Sequence, residues 1–100
     1  MTGSAGGLVA GSERVDILVV DDLREKHLAY QVILEDLGQN LVSVTSGEEA
    51  LKLLLEREFA VILLDVNMPG MRGLDTAALI RGRRKSRRTP IIFVTAFADD

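Results

Sequence analysis

Four short runs of branched apolar residues punctuate the chain, and a longer segment with helical spacing follows each of the first three. The runs are VDILVV (Val15–Val20), LVSVT (Leu41–Thr45), VILLD (Val61–Asp65) and PIIFVTA (Pro90–Ala96). After the first comes LREKHLAYQVILEDLG, where Leu28/Val32 and Ala29/Ile33/Leu37 recur at helical distance and Gly38 supplies a stop. SGEEALKLLLERE opens on Ser46 with Glu49 three residues on, a capping-box pattern, and Ala50, Leu51, Leu54 and Leu55 form its apolar face. GLDTAALIRGRRKS begins at Gly73 and carries a looser apolar face of Leu74, Ala77, Ala78 and Ile80. Pro90 stands at the first position of the last run, where a missing N–H is tolerated. The order is β-α-β-α-β-α-β. Continuous apolar strands alternating with helices imply a parallel sheet covered on both faces.

The chain has 100 residues, enough for one domain. Its net charge of −3 does not advertise a nucleic-acid binder. It has no cysteine, so disulfides and thiol catalysis are excluded, in keeping with a reducing compartment. No apolar run approaches the roughly 20 residues of a membrane helix. Residues 1–13 are rich in Gly, Ser and Ala and read as a flexible leader; they lack the basic and apolar regions of a signal peptide.

The stretch VILLDVNMPG poses the functional question, because a carboxylate ends an apolar strand. All strands of a parallel sheet end on one edge, and ligands bind there, near the point where strand order reverses. Three strand ends carry polar groups: Asp21 and Asp22, Asp65, and Thr95. Asp65 is therefore expected at the rim of the sheet, facing two other carboxylates. At about 4 Å and an effective dielectric near 20, each like-charge pair costs roughly 4 kcal/mol. A proton or a cation relieves that repulsion. An all-oxygen site with few ligands suits Mg²⁺, which keeps several waters and accepts carboxylate and phosphate oxygens. A carboxylate beside such a cation can act as a nucleophile toward a phosphoryl donor and form an acyl phosphate. Thr95 can hydrogen-bond the added group. The turn after Asp65 lets the Asn67 backbone carbonyl face the metal.

These residues resemble a response-regulator receiver domain, the phosphoacceptor module of two-component signalling. ILVVDD, ILLDVNMPGMRGLD and PIIFVTA match in order and spacing, over about residues 14–100. The resemblance implies a flavodoxin-like doubly wound sheet of strand order 2-1-3-4. It implies that Asp65 is the phosphorylated aspartate, Asp22 a direct Mg²⁺ ligand and Asp21 a ligand through water. Asn67 would offer its carbonyl to the metal, Thr95 the switch hydroxyl, and Ala96 the small residue beside it. The implied donor is a histidine kinase or phosphotransfer protein, and the implied listener an output domain in the same or another chain, all in the cytoplasm. The domain would catalyse only its own phosphorylation. The family pattern runs on through a fourth helix, a fifth strand bearing a lysine, and a fifth helix. This sequence stops at Asp99-Asp100, so a receiver without its C-terminal β/α unit is expected. Lys26, Lys52 and Lys85 all fall in helix or loop patterns. An open fourth strand, IIFVTAF, invites pairing with a second copy of the chain.

Other classes fit less well. A haloacid-dehalogenase-like phosphohydrolase needs a second Asp where this chain has Asn67, and its nucleophile lies on the first strand. A nucleotide-binding domain needs a Gly-rich turn where this chain has Asp21-Asp22. A receiver serving only for docking or dimerisation is the remaining alternative. The run RGRRKSRR (residues 81–88) lies at the opposite sheet edge and lacks interleaved aromatics; it reads as solvated surface, with no direct nucleic-acid role. His27, the sole histidine, reads as a surface or packing residue, and Met68-Pro69-Gly70 as a structural turn.

Overall fold

A computed structural model describes residues 14–95. The expected leader and Ala96 lie outside the described residues. Four strands alternate with three helices: β1 (Asp16–Val20), α1 (Arg24–Ile33), β2 (Asn40–Val44), α2 (Gly47–Glu56), β3 (Val61–Asp65), α3 (Gly73–Arg81) and β4 (Ile91–Val94). A 3-10 turn at Glu35–Leu37 extends α1. The strands form one parallel sheet in the order β2-β1-β3-β4.

Each boundary has a local cause. Gly38 ends the α1 region at φ 68, the left-handed conformation that glycine adopts without penalty. At α2 the Glu49 N–H donates to Ser46 Oγ at 3.1 Å. The Glu49 carboxylate reaches back to the Thr45 N–H at 2.8 Å, so the capping box closes one residue earlier than usual. That bond to the Thr45 amide is the chief reason the Glu49 carboxyl is held below the usual range. Pro90 precedes β4 and donates nothing, but its carbonyl accepts from the Ile62 N–H at 2.9 Å.

The chain leaves β1 for β2 on one side, then crosses back to β3 and on to β4. Right-handed crossovers therefore place α1 on one face and both α2 and α3 on the other. Packing agrees. α2 rests on β1 and β2 and against α3, while α3 rests on β3. The core lies in that layer, from Leu18, Val20, Ile62 and Leu64 of the sheet to Ala50, Leu51, Leu54, Ala77 and Ile80 of the helices. Ile17 and Val19 alternate to the opposite face and are also buried.

Three helix faces differ from expectation. Leu28, Val32 and Ile33 of α1 are exposed, at 67%, 71% and 71% of their surface, as is Leu37 beyond it. The inward face of α1 is instead His27, with Tyr30 and Leu34 half-buried at helical spacing below it. Leu55 of α2 and Leu74 and Ala78 of α3 also face outward; Thr76 is buried in place of Ala78. Its hydroxyl donates to the Arg72 carbonyl at 3.1 Å, which makes burial tolerable.

The basic run is half structural. The Arg83 guanidinium and the Lys85 ammonium each lie 3.3 Å from a carbonyl of the last turns of α2, Leu51 and Leu55. The Leu55 carbonyl is one the helix end leaves open, and both cations suit the negative end of the α2 dipole. Arg81 bonds the Arg87 and Thr89 carbonyls of its own loop.

Candidate metal centre

The strand order reverses between β1 and β3, and their carboxyl ends bring three carboxylates together. Asp65 is the last residue of β3; Asp21 and Asp22 follow β1 directly. One oxygen from each of Asp21, Asp22 and Asp65 can be chosen so that all lie within 4.8 Å of one another. Asp21 is 0% exposed and Asp65 2%, while Asp22 is half-buried. The sheet rim was the right place for Asp65, but the side chain is enclosed there and not open to solvent.

Individual hydrogen bonds orient the carboxylates. Asp21 Oδ1 accepts from the Leu23 N–H at 3.0 Å, and Oδ2 accepts from the Tyr30 hydroxyl at 3.0 Å. Lys26 Nζ lies 4.0 Å from Asp21 Oδ2. His27 Nε2 sits 2.7 Å from the Asp21 carbonyl oxygen. Asp65 Oδ1 accepts from the Asn67 N–H at 3.0 Å, a turn that fixes the loop leaving β3. Gly70, at φ 71, turns that loop toward α3. Met68 anchors it in the core.

Gly73 lets α3 start against the site. A Cβ there would meet the Asp65 carbonyl oxygen at 2.2 Å and Val66 Cα at 2.5 Å. Beside Asp65, residues Val66, Asn67, Met68, Pro69 and Arg72 line an open cleft of about 400 Å³. Thr95 follows β4 one residue beyond Val94, the partner of Asp65 in the sheet register, and is exposed.

The donor set fits a hard divalent cation. All three groups offer oxygen, and at separations up to 4.8 Å each like-charge pair costs at least about 3.5 kcal/mol at an effective dielectric near 20. A cation among them turns that repulsion into attraction. Few protein ligands and one partly open side suit Mg²⁺, which retains waters, better than Ca²⁺, which wants six to eight oxygens.

The structure brings the expected Asp21, Asp22 and Asp65 together and adds Tyr30 and Lys26 beside Asp21, which hydrophobic spacing did not place there. Burial, first, and then the hydrogen bond and charge of Asp21 push the Tyr30 hydroxyl up to about 12. The only available signal was spacing: Lys26, His27 and Tyr30 form a polar i, i+1, i+4 set on a helix otherwise read for its leucines. His27 proves to be a packing residue, buried and edge-on to Tyr30 with ring centroids 6.1 Å apart.

A family model, the response regulator receiver domain, matches residues 17–100. The chain is 36% identical over 85 residues to the sensor protein GacS of Pseudomonas syringae pv. syringae, covering 82% of this chain and 9% of that protein. It is 33% identical over 88 residues to the chemotaxis protein CheY-3 of Vibrio cholerae, covering 87% of this chain and 68% of that one. Among solved structures it resembles the receiver domain of sensor histidine kinase PA1611 from Pseudomonas aeruginosa PAO1, with magnesium coordinated in the active site cleft. There the TM-score is 0.79 at 29% identity, covering 86% of this chain and 70% of that one. The chain belongs to the response regulator receiver domain family. It spans only about a tenth of the length of the sensor proteins it matches.

Proposed function

We propose that this chain is the phosphoacceptor of a two-component system, with Asp65 as the residue that takes the phosphoryl group. The observation that carries the reading is the cluster of three carboxylates at the switch point, two of them buried and one at the end of β3. The magnesium-bearing active-site cleft of the PA1611 receiver domain supports it.

Asp22 and Asp65 would hold Mg²⁺ through their carboxylates, Asn67 through its backbone carbonyl, and Asp21 through water. When bound, the metal supplies positive charge that offsets the phosphoryl oxygens and the carboxylates together. Asp65 then attacks the phosphorus of a phosphohistidine on a histidine kinase or phosphotransfer protein. An O–P bond forms, the P–N bond breaks, and the imidazole leaves with its electron pair and takes up a proton. Asn67 holds Asp65 Oδ1 in place through its N–H, which directs the other oxygen to the incoming group. Thr95 donates its hydroxyl to the added phosphoryl group.

The added group brings about −1.5 to −2 charges to the sheet edge. The β4 side is where this would be read by an output domain in the same or another chain. Ile92 and Phe93 are exposed there, and among the described residues no strand pairs with the outer edge of β4, which further chain or a second copy would extend. Among the described residues no helix is long and apolar enough to cross a membrane.

The test is intact-mass measurement after incubation with Mg²⁺ and a small acyl-phosphate donor. A Mg²⁺-dependent gain of one phosphoryl group is expected, absent in Asp65→Asn. No gain in a chain shown to be folded would overturn the proposal.

A further inference from the structure

The three acids are not held alike. Both oxygens of Asp21 accept hydrogen bonds from this chain, Oδ1 from the Leu23 N–H and Oδ2 from the Tyr30 hydroxyl. Asp65 receives one such bond, from the Asn67 N–H, on Oδ1. Among the described residues, Asp22 and Asp65 Oδ2 receive none. Asp21 is therefore the locked member of the cluster, and the other two keep oxygens free for a cation.

Tyr30 provides the side-chain part of that lock. It reaches Asp21 from the second turn of α1, and its ring packs edge-on against His27. His27 in turn bonds the Asp21 carbonyl. Backbone and carboxylate of Asp21 are thus tied to the same helix face. Lys26, one turn before Tyr30, lies 4.0 Å from the same Oδ2. A carboxylate with both oxygens engaged by protein donors is poorly placed to enter a metal's inner sphere, yet its remaining lone pairs can orient a metal-bound water.

We propose that Tyr30 is a positioning residue for the cation site, fixing the Asp21 carboxylate so that it orients a metal-bound water while Asp22 and Asp65 ligate directly. The proposal rests on the Mg²⁺ reading above. Outer-sphere partners of metal ligands typically change affinity by about 10- to 100-fold when removed. Mg²⁺ demands near-octahedral geometry and keeps its waters, whereas Ca²⁺ tolerates irregular shells. Loss of the lock should therefore be felt by Mg²⁺ more than by Ca²⁺.

The experiment is calorimetric titration of the whole chain and of Tyr30→Phe with Mg²⁺ and, separately, with Ca²⁺, alongside thermal unfolding without metal. Phe keeps the ring and removes only the hydroxyl. The expected result is a Mg²⁺ affinity roughly tenfold weaker and a Ca²⁺ affinity changed by less than about threefold, with the metal-free midpoint lowered because a buried carboxylate loses one donor. Wild-type Mg²⁺ affinity in Tyr30→Phe would overturn the inference and leave the phosphoacceptor reading intact. Equal weakening for both cations would overturn it too, since that marks a purely structural role. A folded wild-type chain that binds no Mg²⁺ would overturn both. Should Tyr30→Phe fail to fold, tyrosine emission of the wild-type chain decides. Tyr30 is the only tyrosine and there is no tryptophan, so its emission must change on Mg²⁺ saturation if the hydroxyl sits on a carboxylate of the site. Unchanged emission at saturation would overturn the proposal.

Discussion

Gly73→Ala sets two effects of opposite sign against each other. By helix propensity the change should help: alanine is favoured over glycine in helices by about 1 kcal/mol, and it restricts the unfolded chain by about 0.4–1 kcal/mol, the two figures largely describing the same gain. The structure says it should harm. The added Cβ meets the Asp65 carbonyl oxygen at 2.2 Å, Val66 Cα at 2.5 Å and the Asp65 carbonyl carbon at 2.9 Å. All three are backbone atoms of β3 and the loop leaving it, so no side-chain rotation relieves the contact. Overpacking of this kind costs about 1–3 kcal/mol or more, and because the atoms met are backbone the upper part of that range applies. The net expectation is a loss of about 1–2 kcal/mol, read as a lower midpoint in urea unfolding followed by circular dichroism. The atoms displaced belong to Asp65 itself, so Mg²⁺ affinity should fall in the fraction that remains folded. Gly82→Ala is the control. Gly82 has φ −79, and a Cβ there meets only the Ala78 and Leu79 carbonyls, at 3.5 and 3.6 Å. It should be neutral or stabilising by about 0.4–1 kcal/mol. A Gly73→Ala chain as stable as its Gly82→Ala counterpart would refute the close approach of α3 to the Asp65 carbonyl.

Ser46→Ala should lower stability by about 1 kcal/mol in the same assay, since the Glu49 N–H loses its acceptor. The Tyr30 hydroxyl, pushed up to about 12, is protonated more tightly in the folded chain than in the unfolded one. Its contribution is complete below the ordinary tyrosine value near 10 and is lost as pH rises through about 12. Ultraviolet titration of this single tyrosine should show a midpoint well above 10, and Asp21→Asn should lower it only in part because burial is the larger cause; a midpoint at 10 in a folded chain contradicts the placement. Glu49 is shifted the other way, so its contribution is present above the usual carboxylate range and disappears as pH falls below it; Glu49→Gln should flatten the acid limb of a stability–pH curve. Arg83→Ala should destabilise α2 more than Arg84→Ala, because Arg83 bonds the Leu51 carbonyl of α2.

The sequence by itself determined the element order, the parallel sheet and the place of the acids. Those features are local. Branched runs, a Ser46–Glu49 capping box, a glycine stop at Gly38 and a carboxylate closing VILLD each occupy a few adjacent residues, and the topology of crossovers then sends Asp21, Asp22 and Asp65 to one edge. Tertiary structure decided which way the helices turn. Apolar residues on α1 lie on more than one side, so periodicity marked a helix without fixing its inward face, and Leu28 and Val32 proved to be outside while His27 went in. The orientation of α1 follows from bonds to the end of β1, from His27 to the Asp21 carbonyl and from Tyr30 to its carboxylate. Neither contact leaves a mark on hydrophobic spacing. The same holds for the basic run, where Arg83 and Lys85 find carbonyls of α2, some thirty residues earlier in the chain. Gly73 was legible as a helix start, but the backbone that forbids a side chain there arrives only when β3 and α3 are folded together.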